Sequence, residues 1–150
     1  MIAMPGRILG AVAVFAASNA AAQTVIDGDT LNYKGEVLHL WGIDAPDTGH
    51  ICVDGWDAGK AAAAYLKSLI GSKTVACETK ASSAAGGAYA ICKADGQDLS
   101  GAMAAAGMAW AMPIVADYSV QASNAMYSVS GVYAHPCVKA WEWRAGIRSK

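Results

Sequence analysis

Four cysteines, Cys52, Cys77, Cys92 and Cys137, constrain what this chain can become more than any other feature. An even number in an oxidising compartment favours two disulfides, and three pairings exist. The compartment is read from the N-terminus. Arg7 precedes ten largely apolar residues, Ile8 to Ala17, small residues follow, and Ala20-Ala21-Ala22 before Gln23 offers an Ala-x-Ala cleavage site. Ten such residues are too few to cross a bilayer as an anchor. Residues 1–22 therefore read as a signal peptide and residues 23–150 as one domain with one core. With no Leu-x-x-Cys lipidation pattern at the cleavage site, the expected product is a periplasmic or secreted monomer without stable membrane association. Of 11 Lys+Arg, loss of Arg7 leaves 10 against 12 Asp+Glu, a net charge of −2. A protein that grips nucleic acid is more often basic, so that partner is disfavoured.

Along the domain, Thr24 to Ile26, Thr30 to Tyr33 and Glu36 to Ile43 read as strands of a meander, with Asp27-Gly28-Asp29 and Lys34-Gly35 as turns. Asp57 caps a helix through the alanines to Ile70, and Gly71 stops it. Lys73 to Glu78 and Ala88 to Lys93 form a hairpin across a small-residue loop. Asp98 caps a second helix from Leu99 to Ala106, and a weak period over Tyr118 to Tyr133 predicts a third. The tail Ala140-Trp141-Glu142-Trp143-Arg144 folds back on the body, since two exposed tryptophans are costly to leave wet. Five strands with two to three helices, mainly β, fit a five-stranded Greek-key barrel of the OB type.

The run Val25-Ile26-Asp27-Gly28-Asp29-Thr30, followed by Leu40-Trp41-Gly42-Ile43-Asp44-Ala45-Pro46-Asp47, resembles the signature of the staphylococcal nuclease (thermonuclease) family. The resemblance continues through Gly59 and the alanine helix, Val75-Ala76-Cys77, Ala90-Ile91-Cys92, Asp95-Gly96-Gln97-Asp98-Leu99, Gly107-Met108-Ala109 and Trp141-Glu142-Trp143-Arg144. It implies an OB-type barrel with three helices and, in active members, calcium-dependent hydrolysis of DNA and RNA phosphodiesters. By the same resemblance Asp29, Asp44 and the backbone carbonyl of Ala45 match the positions that ligate Ca2+, with Asp27 in support.

The catalytic positions are altered. The family's general-base glutamate falls on Asp47, which keeps the carboxylate but loses a methylene, roughly 1.5 Å of reach. The first family arginine falls on His39, and where a Tyr-Gly-Arg turn carries the second the chain reads Ala85-Gly86-Gly87. An arginine offers a permanent charge and a planar fork to phosphate, and a histidine does not. The arginines remaining after residue 22 are Arg144 and Arg148, both in the tail. Losing one such donor costs roughly 100- to 1,000-fold in rate, so two losses with a shortened base predict an impaired or inactive domain acting as a binding or structural module. The alternative is a slow Ca2+-dependent endonuclease.

Cys77 and Cys92 fall on the two hairpin strands and are expected to bridge, leaving Cys52 for Cys137. The latter two sit in matched units, His50-Ile51-Cys52 and His135-Pro136-Cys137, which if reduced make a Cys2His2 site for a periplasmic metal-binding protein.

Overall fold

A computed structural model describes residues 23–149; the signal peptide read over residues 1–22 lies outside the described residues. The element order is β1 (Thr24–Val25), β2 (Thr30–Tyr33), β3 (Glu36–Leu40), β4 (Ile43–Asp44), α1 (Ala58–Ile70), β5 (Val75–Ser82), β6 (Ala88–Ala94), β7 (Gln97–Asp98), α2 (Leu99–Ala105), β8 (Trp110–Ala111), α3 (Ser119–Tyr127) and α4 (Ala140–Arg144). The main sheet runs β1-β2-β3-β6-β5, with β7 paired to β6 and a second small sheet formed by β4 and β8. The β3-β6 pairing is parallel and brings His39 opposite Tyr89, whereas the meander and the β5-β6 hairpin are antiparallel. This strand set is of the OB type, although among the described residues the path is not closed by pairing between its end strands.

Alternation explains the core. Leu31, Leu38 and Leu40 from the meander meet Ala62, Leu66 and Ile70 of α1 and Leu99, Met103 and Ala104 of α2 in one buried cluster. Alanines let α1 lie close to the sheet, and its start is fixed by the expected cap, with Lys60 N donating to Asp57 Oδ1 at 3.0 Å. Gly59, also in the first turn, faces the chain at Asp47 so closely that a Cβ would collide with the Asp47 carbonyl oxygen. The helix thereby supports the loop that carries Asp47. Asp98 caps α2 in the same manner, accepting from Gly101 N at 3.2 Å.

Two expectations need correction. The strand expected over Glu36 to Ile43 divides at Trp41-Gly42, where Gly42 takes a φ of 76° against the Tyr118 ring. The helix expected over Tyr118 to Tyr133 is a 3-10 turn at Ala116–Tyr118, then α3, then a second 3-10 turn at Gly131–Tyr133. Its break has a local cause: the Ser128 hydroxyl donates back to the Asn124 and Ala125 carbonyls at 2.9 and 3.2 Å, and Val129 and Gly131 follow with φ of 53° and 55°.

Both disulfides have the expected pairing, Cys77 with Cys92 and Cys52 with Cys137. The tail returns to the body as expected. Trp141 packs on Trp110 edge to face at 6.4 Å within a second cluster that includes Val132 and Ala140. None of the helices in the described residues is long and apolar enough to cross a membrane.

Candidate functional site

A cavity of about 350 Å³ opens at one end of the sheet, lined by Asp27, Asp29, Asp44 and Asp47 with His39, Tyr89 and Arg144 among others. The four carboxylates singled out in the sequence are thus brought together. The Asp27-Gly28-Asp29 turn, the β4 strand and the loop after it each contribute. Asp29 N donates to Asp27 Oδ1 at 3.1 Å, and Leu40 N donates to the Asp29 carbonyl at 2.7 Å, so the turn is tied to the end of β3. Ala45 enters through its amide, which donates to Asp29 Oδ2 at 2.6 Å.

Asp29 is partly buried, and desolvation together with the charge of Asp27 pushes its carboxyl well above the ordinary value of 3.8. The Thr30 hydroxyl lies 2.9 Å from Asp29 Oδ1 and 3.1 Å from His39 Nδ1, while His39 Nε2 lies 3.0 Å from the Gly86 carbonyl and must carry its proton there. One hydroxyl proton cannot fill both Thr30 contacts. Thr30 thus joins Asp29 to His39 through a single shared hydroxyl.

Asp44 is treated differently. Arg144 reaches over from α4 and grips it with both terminal nitrogens, Nη1 to Oδ1 at 3.1 Å and Nη2 to Oδ2 at 2.6 Å. The same Nη1 donates to Asp47 Oδ2 at 2.9 Å. Burial pushes the Asp44 carboxyl up and the guanidinium pulls it back, with a net upward direction, while the carboxylate hydrogen bonds push the Arg144 value higher still. Arg144 is the residue that sequence reasoning missed here. The sequence places it in the closing Trp141-Glu142-Trp143-Arg144 motif with no role at the carboxylates, and the usable signal is the tail itself: folding the two tryptophans onto the body brings the next residue with them.

The missing second arginine has a backbone cause. Gly87 has a φ of 73°, and a Cβ there would collide with the Val37 carbonyl oxygen. This turn therefore excludes a side chain at position 87 altogether. Ala85, two residues earlier, does line the cavity.

The His-x-Cys units do not converge on a metal. Cys52 and Cys137 are bonded to each other, and the described residues contain no free cysteine. His50 lies between Trp110 and Trp143, and His135 stacks on Trp56 at 4.1 Å while pairing with Asp54 at 2.7 Å.

Sheet order, carboxylate placement and the parallel β3-β6 pairing together define an OB-type domain with an acidic cavity at one end. The profile of the family described as staphylococcal nuclease homologue matches residues 37–131, more than half of the chain, and the chain belongs to that family. A search for curated relatives returned no match.

Members of this family generally depend on calcium. With Arg144 seated, the donors here do not fit that ion. Both Asp44 oxygens are taken by the guanidinium and Asp29 Oδ2 by the Ala45 amide. No group of three or more His, Cys, Asp or Glu among the described residues is arranged to hold a metal ion.

Proposed function

We propose that this chain is an exported member of the nuclease family whose phosphodiester chemistry is impaired or lost, and that it serves as a binding or structural module. The observation that carries the reading is the state of His39. Both ring nitrogens are engaged within the protein, with Thr30 and with the Gly86 carbonyl, so the side chain standing at the first arginine position has no donor free for a phosphate. Gly87 supplies none, and Arg144 holds carboxylates. Transition-state charge on a phosphoryl group thus meets no committed cation, and each missing donor costs roughly 100- to 1,000-fold. The two disulfides agree with export through residues 1–22, and the acidic balance with weak affinity for nucleic acid.

A second reading, a slow Ca2+-dependent endonuclease with Asp29, Asp44 and Ala45 as ligands, Asp27 in support and Asp47 as base, draws on the cavity, where Tyr89 and four carboxylates still face one open space. Incubating the purified, oxidised protein at high concentration with single-stranded DNA, with calcium and with chelator, separates the two. No cleavage above background is expected. Calcium-stimulated, chelator-sensitive degradation would overturn the first reading in favour of the second.

A further inference from the structure

We propose that Arg144 is the resident cation of the carboxylate cluster, a guanidinium held in cis where the family's cluster takes a divalent ion, and that a divalent ion enters only when α4 lifts it away. The proposal starts from charge. Asp27, Asp29, Asp44 and Asp47 line one cavity, and Arg144 is the one arginine or lysine among its lining residues. Like charges so placed need a cation to share them. The fork of Arg144 meets that need in a way a lysine could not, clasping both oxygens of Asp44 and bridging to Asp47.

The two cations compete for Asp44, because both of its oxygens already accept from the guanidinium at 2.6 and 3.1 Å and a divalent ion beside that fixed positive charge is repelled. The delivery of Arg144 is built into the fold by several contacts. Trp143 stacks on the buried His50 at 4.9 Å, and Trp141 packs on Trp110, which lies directly opposite Asp44 in the β4-β8 pair. Lys139 N donates to Glu142 Oε2 at 3.3 Å and starts the short helix. The Cys52-Cys137 disulfide, with Val53 N donating to the Pro136 carbonyl at 3.2 Å, ties the approach to α4 onto the loop that carries His50. The strap therefore closes on the cluster without any ligand.

The test compares the oxidised wild-type protein with Arg144→Gln and Arg144→Lys, measuring calcium binding calorimetrically and thermal unfolding with calcium or chelator. Wild type is expected to show no calcium-dependent change at millimolar ion. Arg144→Gln is expected to unfold at least roughly 3 °C lower in chelator, to recover with calcium, and to bind calcium at least about tenfold more tightly than wild type. Arg144→Lys keeps a charge without the fork and should fall between them. Arg148→Gln should leave the calcium response as in wild type, since Arg148 contacts Trp143 and backbone carbonyls and not the cluster. Should Arg144→Gln fold only with calcium, the inference is supported; should it fail to fold in either condition, Arg144→Lys decides, and binding no tighter than wild type overturns the proposal. Wild-type calcium affinity equal to that of Arg144→Gln also overturns it, and leaves the phosphodiester reading, which rests on His39 and Gly87, untouched.

Discussion

Trp143 lies flat on His50, ring centroids 4.9 Å apart and planes within 12°, and this stack joins the last helix to the loop that carries Asp47. On its other side His50 faces Trp110 at 6.1 Å, so an ionisable ring is enclosed between two indoles with no solvent exposure. Neither ring nitrogen has a hydrogen-bond partner within good geometry, and the Val138 backbone gives only a minor pull.

Burial accordingly pushes the His50 value below the ordinary 6.5, against the upward pull of Asp47 and with smaller downward pushes from Arg148 and Arg144. A histidine lowered in the folded state binds its proton more tightly when unfolded. Its contribution is therefore complete above pH 6.5 and lost as pH falls below that value. His50→Phe keeps a flat ring in the stack and removes the titration. It is expected to match or exceed wild type by about 1 kcal/mol at pH 7, with the margin growing towards pH 5. Denaturant unfolding at the two pH values checks this, and a margin that shrinks towards pH 5 would refute it.

Asp29 has the opposite sign. Its folded value is raised, so the stability it contributes is complete below the ordinary carboxylate value of 3.8 and lost as pH rises through the folded value. Asp29→Asn imitates the protonated acid: its amide oxygen accepts from Ala45 N, its amide group donates to Thr30 Oγ1, and the Thr30 hydroxyl is released to His39 Nδ1. The variant is expected to be more stable than wild type at pH 7 by on the order of 1 kcal/mol, and equal to it near pH 4. Equal stability at both pH values would mean that Asp29 is ionised at no cost in the fold.

The capped helices at Asp57 and Asp98 were legible because capping and stopping are local chemistry written in adjacent residues. The cross-strand pairing of Cys77 with Cys92 was legible once the hairpin was seen, and it set the partner of Cys52. The carboxylates Asp27, Asp29, Asp44 and Asp47 gathered as the motif spacing implied. The break after Tyr127 was not legible, since it depends on Ser128 turning back on the helix and on Val129 taking a positive φ, which no β-branched residue advertises. Arg144 was invisible for a different reason: its partner Asp44 is a hundred residues away, and only the packing of Trp141 and Trp143 brings them together. Periodicity carries no information about such a contact.

Position 87 illustrates how backbone limits repair. The family pattern suggests restoring arginine at 39 and 87, yet the Gly87 backbone is left-handed and its missing Cβ would strike the Val37 carbonyl. Gly87→Arg is therefore expected to lose at least about 2 kcal/mol of stability through strain and displaced β3-β6 pairing. Ala85 lines the same cavity without a positive φ, so Ala85→Arg places a guanidinium near the site with the turn intact. Combined with His39→Arg, which also releases Thr30, it adds two cations to an acidic cavity. Fluorescence anisotropy with a labelled single-stranded oligonucleotide should show tighter binding by about tenfold or more at low salt. The slope of log affinity against log salt should steepen by about 1.4, the value for two phosphate contacts on a single strand. An unchanged slope would show that these two positions do not face a bound strand, and would remove the structural basis for comparing them with the family's arginines.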